Sequence, residues 1–259
     1  MTPLKISLCQ SDCKWQDAAA NKILLEKKLA ALDSSTTDLV IFPEMFTTGF
    51  SMESERLAEP MDGPSIQWMM EQSNQLNLAL TGSLIIKEQG QFYNRLIWVE
   101  PGTPHPKIYD KKHLFSLANE HKHYSAGNHK LILDYKSWKI ALFICYDLRF
   151  PVWSRNKESV DLMIYVANWP EKRNLAWKSL LPARAIENQC FVAGVNRIGM
   201  DANQIHYTGN SAVFDFEGKS VLNLESLDSI QTIELNKQDL QVYKRAYPFL
   251  KDADRFQFE

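Results

Sequence analysis

The chain has 259 residues, 45% of them hydrophobic and 23% charged, a balance that supports a packed core and excludes extensive disorder. With 29 basic and 31 acidic side chains the net charge is −2, which leaves no basic footprint for nucleic acid. The longest unbroken apolar run, Ile140 to Tyr146, falls far short of the roughly 18 residues a membrane helix needs.

In chain order, residues 4–9 read as a strand, 18–32 as an amphipathic helix and 38–42 as a second buried strand ended by Pro43. Residues 65–76 read as a helix behind Pro64 at a first-turn position. Residues 78–87 and 92–99 form a strand pair around a polar turn, and 108–109 are extended. A further hairpin is expected at 132–135 and 138–144, then a strand at 161–167, a helix at 175–188 and a strand at 191–196. The last third holds strands at 211–216, 220–224 and 230–235 and a short helix near Leu240, with no clear period from Tyr247 onward.

No linker-like stretch or charge block divides the chain, so one domain over residues 1–259 is expected. The order strand, helix, strand recurs on both sides of the central hairpins. The fold class is therefore α/β, with a mixed sheet or two packed sheets under outer helices. The segment Met1 to Gln10 lacks the pattern of a secretory signal, and Cys9, Cys13, Cys145 and Cys190 lack C-x-x-C spacing. A cytoplasmic protein with free thiols is the expectation.

Three polar groups stand at the carboxyl ends of expected strands, where α/β folds gather their ligand sites: Glu44 after Pro43, Lys111 after the stretch at Ile108 and Tyr109, and Cys145 after Ile144. The run from Cys145 to Pro151 reads as a sharp strand-to-helix turn that would raise a side chain at the sheet edge and aim the next N–H at a substrate oxygen. A thiol becomes a useful nucleophile only beside a base or a cation, roles open to Glu44 and Lys111. Each residue also has an ordinary reading: a buried small hydrophobe for Cys145, a helix cap or arginine partner for Glu44, a solvated side chain for Lys111.

The local sequences Phe42-Pro43-Glu44-Met45-Phe46, Tyr109-Asp110-Lys111-Lys112-His113-Leu114-Phe115 and Ile144-Cys145-Tyr146-Asp147-Leu148-Arg149-Phe150-Pro151, in this order, closely resemble the nitrilase superfamily of carbon-nitrogen hydrolases over nearly the full length. That resemblance implies a four-layer α-β-β-α sandwich and a catalytic triad of Glu44, Lys111 and Cys145, with Lys111 rather than Lys112 selected by the pattern Lys-x-His-Leu-Phe. It also matches a second glutamate to Glu120, which precedes Gly127 and would orient the lysine and substrate. Thr47-Thr48-Gly49-Phe50, Asn119 to Tyr124, Ala167-Asn168-Trp169-Pro170 and Ala183 to Gln189 look like the bacterial omega-amidases, which hydrolyse the terminal amide of 2-oxoglutaramate. Members of the superfamily commonly pair through a helical layer, so a homodimer is implied.

The implied reaction is attack by Cys145, with Glu44 taking the thiol proton and Lys111 and the Tyr146 N–H holding the oxyanion, without metal or organic cofactor. A small dicarboxylic acid monoamide carries a free carboxylate that a cation must meet, and Arg173 beyond Trp169-Pro170 is the candidate, with Trp169 as a pocket wall. Three rivals stand beside this reading: a Cys-His hydrolase based on His113, a metal site at Glu120, His121 and His123, and a non-catalytic binding scaffold. Arg184 and Glu187, spaced i,i+3 on the expected helix, are read as a structural pair.

Overall fold

A computed structural model of the protein describes residues 2–258. Its strands are β1 (Leu4–Gln10), β2 (Leu39–Ile41), β3 (Ala79–Glu88), β4 (Gln91–Val99), β5 (Lys107–Asp110), β6 (Leu131–Tyr135), β7 (Trp138–Ile144), β8 (Leu162–Ala167), β9 (Phe191–Asn196), β10 (Ile198–Met200), β11 (His206–Thr208), β12 (Ala212–Phe214), β13 (Ser220–Asn223) and β14 (Ser229–Leu235). The helices are α1 (Ala18–Ala30), α2 (Ser54–Leu57), α3 (Pro64–Leu76), α4 (Asn174–Asn188) and α5 (Lys237–Ala246).

Two sheets of six strands form, in the orders β14-β1-β2-β3-β4-β5 and β13-β12-β9-β8-β7-β6. Each has three parallel strands at its centre and antiparallel strands outside them, so the halves repeat one plan. Along the first sheet the apolar side chains alternate with the period of two that strand geometry imposes. Leu4, Ile6, Leu8, Leu39, Ile41, Leu96 and Trp98 enter the core between the sheets. Cys9, Val40, Phe42, Leu80, Ile97 and Val99 enter a separate core with Leu25 and Leu29 of α1 and Ile66, Trp68 and Met69 of α3. A strand buried on both faces has no polar side to show, which is why Leu39 to Phe42 reads as a continuous apolar run.

Trp98 of β4 meets Tyr135 of β6 edge-on, and Tyr109 of β5 meets Phe143 of β7, tying the sheets face to face. Outside the second sheet, Trp177, Leu181 and Ala185 of α4 close the core. They can approach because β9 offers Gly194 there: a Cβ at that position would lie 2.5 Å from Leu181 and 2.8 Å from Trp177. The layers run α-β-β-α, the architecture expected for the chain.

Element ends differ where local hydrogen bonding decides. Helix α1 stops at Ala30, short of the expected 32, because Ala31 and Leu32 turn their N–H groups to the carbonyls three residues back. The β3–β4 connection is a two-residue turn, Gln89 and Gly90, both with positive φ, as a tight hairpin requires. Helix α2 and the hairpin of β10 and β11 were not expected; they are too short to carry a period.

Burial pushes the Cys9 and Cys190 thiols up to about 12 and Cys13 up to about 11. A thiol that holds its proton more tightly folded than unfolded stabilises the fold below its unfolded value near 9, and that contribution is lost as pH rises towards the folded values. Melting temperature should therefore fall across pH 9 to 11. A Cys9→Ala, Cys190→Ala double variant should flatten the decline, and an unaltered slope in calorimetry would assign it to other groups.

Candidate active site

Four segments at the carboxyl ends of strands meet at one end of the sandwich. Glu44 follows β2, Lys111 follows β5, Cys145 follows β7 and Asn168 follows β8. Glu44, Lys111 and Glu120 are wholly buried and bonded to one another. Lys111 Nζ donates to Glu44 Oε1 at 2.8 Å and to both oxygens of Glu120 at 3.0 Å. Glu120 Oε2 also accepts the Phe115 N–H at 2.5 Å, which turns the loop between Lys111 and Glu120 back on itself. Glu44 Oε2 accepts the Asn168 N–H at 2.8 Å, and the Asn168 side chain donates to the Glu44 carbonyl at 2.6 Å.

The electrostatics follow from this packing. Burial alone would lower the proton affinity of Lys111, but the Glu120 and Glu44 carboxylates outweigh it and hold the ammonium above its usual value. Burial raises Glu120, with Lys111 opposing and Glu44 adding to the rise. The Cys145 thiol is also pushed well up, first by burial and then by the Glu44 carboxylate acting as charge and hydrogen-bond acceptor, against the pull of Lys111. Both effects favour the protonated form of the thiol.

Cys145 has φ of 44°, a left-handed conformation that a non-glycine residue holds only when its surroundings fix it. Asp147 does much of the fixing. Its Oδ2 accepts the Ile144 N–H and the Tyr109 hydroxyl, and its Oδ1 accepts the His113 N–H and ring Nδ1. One buried carboxylate thus clamps the turn after β7 to the loop that carries Lys111. Arg184 of α4 donates to the Leu148 carbonyl of the same turn at 2.6 Å and pairs with Glu187 at 2.9 Å, the structural role expected for that pair.

Cys145, Glu44 and Lys111 open onto a cavity of about 340 Å³ whose walls include Tyr146, Trp169 and Arg173, so every expected site residue except Glu120 faces it. Glu120 lies behind Lys111. The rival groups lie elsewhere: His113 stacks on Phe150 at 3.9 Å and bonds Asp147, while His121 and His123 are exposed and Glu120 is turned inward from them.

Sequence reasoning missed Arg149. Its guanidinium lies over the Trp169 ring at 4.9 Å, as that of Arg173 lies over Phe115 at 4.9 Å, and both line the cavity. Among the described residues neither arginine makes an ion pair. The signal was present in the Cys145 segment, where an arginine four residues on is carried round the same short turn. Asn94, which bonds both carboxylates, was missed as well; a polar residue inside an apolar strand was its only mark.

The carbon-nitrogen hydrolase family model matches residues 5–245. The chain is 42% identical over 258 residues to omega-amidase YafV of Escherichia coli (strain K12), covering 99% of each. It is 32% identical over 256 residues to 2-oxoglutaramate amidase of Bacillus subtilis (strain 168), covering 95% of this chain and 96% of that one. The crystal structure of a CN-hydrolase superfamily protein from Xanthomonas campestris, with an arsenic adduct in its active site, superposes with a TM-score of 0.97 at 42% identity, all of both chains being covered. With its sheets, its buried Glu-Lys pair and its cysteine turn accounted for, the chain belongs to the carbon-nitrogen hydrolase family.

Proposed function

We propose that the protein is an omega-amidase that hydrolyses the terminal amide of a small dicarboxylic acid monoamide, 2-oxoglutaramate or succinamate, to the acid and ammonia. One observation carries the reading: a single cavity holds the Glu44, Lys111 and Cys145 cluster together with two arginines that make no ion pair among the described residues. An amide at the cluster and a carboxylate at the arginines describe the two ends of such a substrate.

Cys145 Sγ attacks the amide carbon while its proton passes to Glu44. The charge that develops on the amide oxygen is met by the Lys111 ammonium and the Tyr146 N–H, each donor contributing about 3 kcal/mol. Glu44 returns the proton to the nitrogen, the carbon-nitrogen bond breaks, ammonia leaves and a thioester to Cys145 remains. Water then gives a proton to Glu44 and adds to the thioester; collapse releases the acid and reprotonates the thiol. Glu120 holds Lys111 in place throughout, and Trp169 walls the acyl chain.

The reading extends to a single domain acting in the cytoplasm as a homodimer. The free cysteines fit a reducing compartment, and Leu175 and Ile186, exposed on α4, suit pairing through that helical layer.

The test is ammonia release from 2-oxoglutaramate, succinamate, glutamine and a simple nitrile by wild type beside Cys145→Ala. Release from the first two that vanishes in the variant is expected. Release only from glutamine or the nitrile would move the substrate within the family, and no release from any of them, with Cys145 inert to iodoacetamide, would favour the scaffold.

A further inference from the structure

Asn94 lies within β4 and is wholly buried, where a polar side chain is costly unless its groups are bonded. Its backbone carbonyl accepts the Lys111 N–H at 3.0 Å. Its Nδ2 donates to Glu44 Oε1 at 2.8 Å and to Glu120 Oε1 at 3.2 Å, one hydrogen for each carboxylate. Its Oδ1 accepts from the Ser83 hydroxyl at 2.9 Å.

The direction of this chain is set by donor and acceptor chemistry alone. The Met45 N–H donates to Ser83 Oγ at 2.8 Å, which leaves the hydroxyl hydrogen for Asn94 Oδ1. With its carbonyl side so engaged, the amide must turn its NH2 to the carboxylates, which only accept. A backbone N–H next to Glu44 thereby fixes, through Ser83, the orientation of the amide that touches both Glu44 and Glu120.

We infer that Asn94 is a positioning residue for hydrolysis: with Lys111 it fills both lone-pair positions of Glu44 Oε1, so the proton from Cys145 travels on Oε2. Oε2 has one donor, the Asn168 N–H, and so one lone pair open. The same amide spaces the two carboxylates around Lys111. This inference rests on the assignment of Glu44 as the base. The titratable groups around that carboxylate are Lys111, Glu120 and Cys145, with the Tyr124 and Tyr207 phenols beyond them.

Asn94→Leu keeps the branched skeleton of the side chain and removes both the donor and the acceptor. Without the donor Oε1 becomes a second, unproductive seat for the proton, and the carboxylate pair holds a proton more tightly. With succinamate we expect kcat to fall about 100-fold with KM within threefold, and the acidic limb of kcat/KM to move at least half a pH unit upward. Iodoacetamide alkylation of Cys145, which needs the same base but no substrate, should show the same shift.

Ser83→Ala frees the amide to rotate and should give a smaller loss, about tenfold, with a shift in the same direction. If Asn94→Leu does not fold, Ser83→Ala decides. Unchanged profiles in the folded variants, or a loss of kcat without any shift in either profile, would overturn the inference. Wild type inactive on every omega-amide, but with alkylation shifted in the variants, would instead overturn the substrate assignment and leave the role of Asn94 standing.

Discussion

Glu44→Gln should lower kcat/KM for an omega-amide by about 10² to 10⁴-fold, the range in which general acid-base groups contribute. The change keeps the shape of the side chain and removes its ability to take and return a proton. It also creates a donor conflict. Glu44 Oε1 faces the Lys111 and Asn94 donors, and Oε2 faces the Asn168 N–H. Whichever way the new amide turns, its NH2 meets another donor, a mismatch that costs about 1 to 3 kcal/mol and would show as a melting temperature lowered by some 3 to 10 °C.

The two readouts separate chemistry from folding. Turnover retained within tenfold of wild type would identify a different base. His113 is the nearest rival by sequence, but its ring is engaged by Asp147 and stacked on Phe150, so the large loss is expected.

Much of this arrangement was legible before any coordinates. The central strands are buried on both faces, so 138–144 and 162–167 stand out as almost wholly apolar runs. Glu44 and Cys145 are conspicuous because each breaks an apolar run at its carboxyl end, and Lys111 because it follows the extended stretch at Ile108 and Tyr109. What was not legible depends on contacts distant in sequence. Glu120 bonds Lys111 across a loop whose turn is made by its own carboxylate, and no local pattern encodes that; it was found only through the family resemblance. Asn94 carries no mark in the sequence beyond its polarity, since neither periodicity nor propensity distinguishes a solvated asparagine from one that bonds two buried carboxylates. Arg149 lies in the Cys145 segment, and only the tight turn there, not any local pattern, brings its side chain round to the cavity.

The arginine pair yields the second large effect. Arg149→Met and Arg173→Met should each raise KM for succinamate about tenfold, and the double variant about 100-fold or more, with kcat within threefold of wild type. A hydrogen bond to a charged group contributes about 1.5 to 3 kcal/mol, and about 1.4 kcal/mol corresponds to a factor of ten. The loss should fall on KM because on the proposed reading both guanidiniums would meet the far end of the substrate, whose charge does not change as the amide reacts.

Methionine retains much of the apolar stem that packs on Trp169 or Phe115, so wall packing is disturbed less than by alanine. Butyramide, which has the length of succinamate but no carboxylate, supplies the control: its kcat/KM should be unchanged in all three variants. Equal losses on the charged and neutral amides would mean that the arginines shape the cavity rather than bind the carboxylate. Because Arg149 rides on the Cys145 turn and Arg173 on the segment before α4, and both of these pack against α4, the span between them and the thiol is set by two separate elements. Chain-length preference should accordingly survive either single substitution and broaden only in the double variant.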